Sequence, residues 1–233
     1  MRRHVVIMTL PFDTQQFLSV FAAYNASIWP AQIVAYFLGL VALAAIFMPS
    51  PFRERVILSV LAAMWAWNGL VYHLAFFAPI NSAAFGFAAL FVLQAMLFAS
   101  YSLKLDDTRF VVRGGWQGVG ALAFTVYAMV IYPVLGVIAG HGLMKGPLFG
   151  VAPCPTTIFT IGLLLLGHGR SVRWLAAVPL AWAVIGTSAA VLLGIPEDFG
   201  LGVAGFLLSV SLVVAAVAAK SNARPIHTVI DRS

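Results

Sequence analysis

Charge is what this chain has least of. Of its 233 residues, 13 are Lys or Arg and 7 are Asp or Glu, together 9%, against roughly a quarter in a soluble domain. So few charges cannot clothe a water-facing surface. That excludes an ordinary soluble protein and makes lipid the solvent of most of the exterior. No charged residue falls in the middle of a long apolar run. A charge there costs about 2.5–3.5 kcal/mol on the mild insertion scale and is normally kept for function. A proton relay of buried carboxylates and a voltage sensor are therefore both disfavoured. The single cysteine, Cys154, excludes an internal disulfide and any CxxC metal or redox motif. The last apolar run has no lysine before Lys220 at its end, which argues against a retinal Schiff base. A Walker loop, HExxH and GxSxG are absent, and an enzyme is the most distant class. No alternating strand pattern suggests a barrel.

What is there is hydrocarbon. The chain is 62% hydrophobic with a mean hydropathy of +1.01. A spanning helix needs about 20 mostly apolar residues. Seven runs qualify, at 29–48, 56–77, 82–101, 115–140, 156–168, 172–194 and 199–219. The fifth is short and lengthens only by starting near Leu148, through Pro153 and Pro155. The expected fold class is an all-α membrane protein: a seven-transmembrane helix bundle with an N-terminal interfacial amphipathic helix. The expected divisions are an extracytoplasmic segment 1–28, a transmembrane domain 29–219 and a cytoplasmic tail 220–233. Arg2 and Arg3 precede only six apolar residues before Pro11 and Asp13, too few for a secretory signal, so the segment is expected to be retained.

The net charge of +6 and pI near 9.9 read as topology signals and not as nucleic-acid binding. Arg53, Arg55, Lys104, Arg109, Arg113, Arg170, Arg173, Lys220, Arg224 and Arg232 fall in loops on one side. Arg2, Arg3 and Lys145 fall on the other. Cytoplasmic loops collect Lys and Arg, so the N-terminus is expected outside and the C-terminus in the cytoplasm. Seven passes give the odd number this requires.

Before the first run, Asp13 or Thr14 can cap a helix carrying Phe17, Leu18, Phe21 and Tyr24 at helical spacing. Its simpler role is to anchor the first span at the outer surface, and its sharper role is to roof a cavity. Pro133 should kink the fourth span and Pro179 the sixth. Gly136 with Gly140, and Ala190 with Gly194, mark close helix packing. Trp29, Trp116 and Trp174 sit at span ends.

Several polar residues converge on the outer side: Tyr24 and Asn25 before the first span, His73 near the end of the second, Asn81 opening the third, His141 after the fourth, Cys154 at the start of the fifth, and Glu197 and Asp198 before the seventh. Pro155 suits a first helical position, which makes Cys154 the cap of the fifth helix, facing its positive end. There a thiol is reactive and metal-competent; the plainer reading is an inert buried cysteine. His73, His141 and Cys154, with Asp198, could offer N, S and O ligands to zinc or copper, although no dedicated motif spaces them. The plainer reading makes each histidine a hydrogen-bonding residue. Haem on His73 and His141 is a weaker option. Asn68, Tyr72 and Gln94 lie within the spans. Such residues usually bond a neighbouring helix, or they could line a solute path.

The run Pro11-Phe12, with Phe17, Tyr24-Asn25, Trp29-Pro30, Gly140-His141, Phe149-Gly150 and Pro153-Cys154-Pro155-Thr156-Thr157-Ile158-Phe159, resembles a bacterial family of multi-pass membrane proteins, domain of unknown function 6064. The resemblance covers nearly the whole chain. It implies a helical inner-membrane protein and supplies no activity. Two functional classes follow. One is a small-solute or metal-ion permease with an outer entry site. The other is a binding, sensory or accessory subunit using the same pocket without translocation. The first requires a polar track past Asn68 and Gln94, the second a closed, dry lower half.

Overall fold

The computed structural model describes residues 11–104 and 107–222. Arg2, Arg3, Arg224, Arg232 and most of the tail expected at 220–233 lie outside the described residues. Among the described residues the fold is all-helical apart from one two-residue strand pair. In chain order the helices are α1 Thr14–Ser27, α2 Ala31–Ala45, α3 Phe52–Phe77, α4 Ala84–Lys104, α5 Gly115–Ile138, α6 Pro153–Leu165, α7 Val172–Leu193 and α8 Pro196–Ser221. Each of the seven apolar runs folds as helix. By length and composition α3, α4, α5, α7 and α8 can each cross a membrane, and α1 with α2 adds a sixth if that pair, bent by 86°, is one broken span. Large apolar side chains face outward, among them Phe37, Leu122 and Phe206 at 63%, 67% and 67% exposure.

Hydrogen bonds tie the helix ends into two faces. At one, the Arg53 guanidinium donates to the carbonyls of Met48 and Phe110. Strand β1 (Arg109–Phe110) pairs antiparallel with β2 (Gly167–His168). The Asp107 carboxylate accepts the amides of Arg170 at 2.6 Å and Ser171 at 3.2 Å. The Ser171 hydroxyl and then those amides hold the Asp107 carboxyl below its ordinary 3.8. The turns before α3, α5 and α7 therefore meet, and this face carries the cations Arg53, Arg109, Arg113 and Arg170. At the other face Asp13 and Gln16 form a reciprocal capping box on α1. There Thr14 donates to the Leu193 carbonyl, and His141 meets Glu197 at 2.8 Å.

Helix α6 is the axis of the bundle. Every residue from Pro153 to Leu165 is buried except Cys154, and α5, α7, α8 and α3 pack around it. A Cβ on Gly162 would come within 3.0 Å of Thr125 and 3.1 Å of the Ala121 carbonyl, so glycine lets α5 approach. Thirteen residues span only about 20 Å, short of the roughly 30 Å of hydrocarbon. The helix is preceded by the buried irregular turn 146–152. Gly150 sits there at φ +76°, with Ala35 2.7 Å from where a Cβ would be, so both conformation and space require glycine.

The helix start differs from the expectation. Ala152 is the N-cap in extended conformation, Pro153 takes the first helical position and Cys154 the second. Pro153 suits that place as well as Pro155 does, and a residue before proline is driven to extended backbone, which stops the helix at Ala152. The glycine pairs also read differently. Gly136 packs against Glu197, while Gly140 and Gly194 adopt positive φ in turns.

Prolines leave backbone carbonyls without their usual donor four residues on, and side chains fill the gaps. Before Pro133, where a kink is expected, α5 widens into a π turn at Tyr127–Ile131. The Met129 carbonyl accepts the Tyr36 hydroxyl at 2.9 Å. In α7, the Leu175 carbonyl, four before Pro179, accepts the Gln94 amide at 2.8 Å.

Candidate functional site: a roofed apolar chamber

The last third of α3, Asn68–Phe77, is wound as a π-helix. This brings Tyr72 and His73 together into the interior, at 2% and 0% exposure. Above them α1 lays Phe17 and Phe21 against Tyr72 and Phe77, and Phe12 joins from just before the helix. Between this roof, α3 and α7 lies a chamber of about 350 Å³, lined by Phe12, Phe17, Phe21, Tyr72, His73, Phe77, Asn81, Cys154, Trp182 and Asp198 among others. α1 thus covers a cavity, the sharper of the two roles read from its sequence.

His73 is walled by rings, with Tyr72, Phe77, Phe87, Phe91 and Trp182 at centroid distances of 4.8–6.1 Å. Neither ring nitrogen has a hydrogen-bond partner. A buried polar group left so costs about 1–3 kcal/mol. The indole N–H of Trp182 is also without a partner of normal geometry, although it lies towards the Cys154 thiol. The polar end is built by Asp198, which accepts hydrogen bonds from Tyr132 and from Cys154. Next to it Glu197 is fully buried and bonded through Oε1 to His141 Nδ1, and its backbone carbonyl accepts the Tyr127 hydroxyl.

Of the residues singled out in the sequence, Tyr72, His73, Asn81, Cys154 and Asp198 share the chamber wall. The others have different work. Tyr24 donates to the Val151 carbonyl at 2.6 Å and accepts from the Trp67 indole. Asn25 donates to the carbonyls of Met144 and Gly146, each at 3.0 Å. Asn68 reaches the carbonyls of Met64 and Gly150 and the Thr156 hydroxyl. These side chains hold the turn before α6. Away from water an irregular turn is tolerated only when its polar groups are satisfied internally. With Gln94 bound to Leu175, four of the expected ligand-binding residues serve the protein's own backbone.

The expected metal set is not assembled. Among the described residues no three His, Cys, Asp or Glu side chains form a group that could hold a metal ion. His141 lies outside the chamber wall and is engaged by Glu197, while His73 is enclosed in rings. A zinc or copper centre on His73, His141 and Cys154 therefore lacks its geometry among the described residues. Trp182 is the wall residue the sequence reading passes over. Its signal is its place: an indole favours span ends, and this one falls inside an apolar run. Tyr132 is legible only as a span tyrosine.

The capped roof helix, the Gly150 turn and the Pro-Cys-Pro helix start are the segments that carry the resemblance, and they fold as one unit around the chamber. The chain belongs to the family of unknown function DUF6064. The sequence model of that family matches residues 14–223, from the first residue of α1 to just past the end of α8. No curated protein and no solved structure matches the chain.

Proposed function

We propose that this chain is a non-transporting binding protein of a bacterial inner membrane, a sensory or accessory subunit that holds a small molecule in the chamber beneath α1. In this reading all seven apolar helices from α2 to α8 cross the bilayer, α6 with the help of its turn. The N-terminus and roof are extracytoplasmic, with α1 at the interface, and the cationic face is cytoplasmic.

One observation carries the choice of binding over transport. On the cationic side of Asn68 the interior is filled by Leu61, Trp65, Phe98, Phe159 and Ile161, all at 0% exposure. The polar groups there bond one another, as Trp65 does with Thr160 at 2.9 Å. A permease built on the same chamber needs a route past Asn68 and Gln94, and both amide nitrogens donate to backbone carbonyls. The chamber is a dead end that suits capture.

Purified protein analysed by native mass spectrometry tests this, alongside solute flux in proteoliposomes. The expected result is a co-purifying small molecule whose re-addition raises the melting temperature, with no flux above empty vesicles. Protein-dependent flux of a solute that competes for the chamber would contradict the reading.

A further inference from the structure

The chemistry of the chamber wall says what kind of molecule it takes, given the binding reading above. Two donors belong to its wall: His73, neither of whose ring nitrogens has a partner, and the Trp182 indole, which has only the weakly accepting Cys154 sulfur near it. An imidazole keeps an N–H on at least one nitrogen, and an indole is a donor only, so His73 and Trp182 both call for acceptor oxygens. The strong acceptor, Asp198, is already bonded by Tyr132 and Cys154. Among the described residues the wall contains no Lys or Arg, so a carboxylate or phosphate head meets no counter-charge from them. His73 and Trp182 stand edge to face with centroids 5.1 Å apart, so the two donors come from neighbouring rings of one wall. Aromatic faces make up much of the rest and favour a flat ring.

The chamber also meets lipid. Val184 and Leu192, both in its lining, are 70% and 49% exposed on the outer side of α7. A volume of about 350 Å³ is at the small end of ligand sites. It holds a single-ring head and the start of a chain, and the remainder of the chain can leave past Val184 into the bilayer.

We propose that the chamber binds the ring of a membrane-dissolved quinone, with one carbonyl oxygen accepting from both His73 and Trp182 and its tail passing out beside Val184. The ring enters from the bilayer, and no electron transfer is involved.

The test uses the full chain in phosphatidylcholine nanodiscs and a para-benzoquinone carrying a decyl chain. Binding is read by quenching of tryptophan fluorescence and checked by dialysis. The quinone should bind above its partition into empty nanodiscs. His73→Phe and Trp182→Phe should each weaken binding by about tenfold, the loss of one hydrogen bond. Val184→Trp, on the outer surface where folding is not at stake, should also reduce binding by obstructing the exit. Melting curves establish that each variant is folded. Partition no better than into empty nanodiscs, or wild-type binding by the Val184→Trp variant and both ring variants, overturns the proposal. So does equal binding of the corresponding quinol or of decanol. In that case a co-purifying amphiphile displaced from a His73-dependent site leaves the binding reading standing, whereas protein-dependent flux with no bound molecule removes both.

Discussion

Asn68 shows how polar side chains earn a place in this interior. Its amide nitrogen is within 2.8 Å of the Met64 carbonyl and 3.3 Å of both Gly150 O and Thr156 Oγ1, so one side chain pins α3 to the turn before α6. Asn68→Leu keeps the size and leaves the Gly150 carbonyl without that donor. It should destabilise the protein by about 1–3 kcal/mol, seen as a lower denaturation midpoint in detergent. An unchanged midpoint would show that the clamp contributes nothing. The importance of Tyr24, Asn25, Asn68 and Gln94 is legible in the sequence because an amide or hydroxyl among apolar residues needs a partner. The partner's identity is not legible. Asn68 and Gly150 are 82 residues apart, and Asn25 and Gly146 are 121 apart. Local spacing carries no trace of either pairing, and a ligand and a distant carbonyl make the same demand on the side chain.

Among the helices, existence was easier to read than ends. Seven long apolar runs announce seven helices because hydrocarbon admits little else. The start of α6 is ambiguous because two prolines flank Cys154 and each fits a first helical position; packing of the buried turn decides between them. The site of the break in α5 follows from Pro133, but its form, a π turn with the Tyr36 hydroxyl on the Met129 carbonyl, depends on α2 lying alongside. This coupling is measurable. Tyr36→Phe should cost about 1 kcal/mol in the wild-type background. It should cost much less with Pro133→Ala, where residue 133 regains an N–H for that carbonyl. A double-mutant cycle with zero interaction energy would refute the coupling.

For the whole molecule, the asymmetry of cations along the sequence distinguishes two faces, and the Arg53, Asp107 and β1–β2 contacts tie the cationic loops together. Asp107 makes this face pH-sensitive. Its folded-state carboxyl is held below the ordinary value by Ser171 and the neighbouring amides. Its stabilising effect is therefore complete above the unfolded value and is lost as pH falls through the depressed folded one. Asp107→Asn should lower the melting temperature at neutral pH, and its difference from wild type should shrink once the solution is more acid than the depressed folded value. A difference that stays constant into that acid range would contradict the linkage. Because Asp107 is exposed, the effect should be small.

The chamber's isolation from the cytoplasm is the claim on which the functional reading turns, and Cys154 reports on it directly as the chain's one thiol and part of the chamber wall. The measurement is its labelling in oriented vesicles by a charged thiol reagent added on the cytoplasmic side, compared with a lipophilic reagent and with protein unfolded in detergent. The account predicts modification by the lipophilic reagent and none by the charged one. Labelling from the cytoplasmic side by the charged reagent, as fast as by the lipophilic one, would mean that an aqueous path runs through the bundle and the chamber is no dead end.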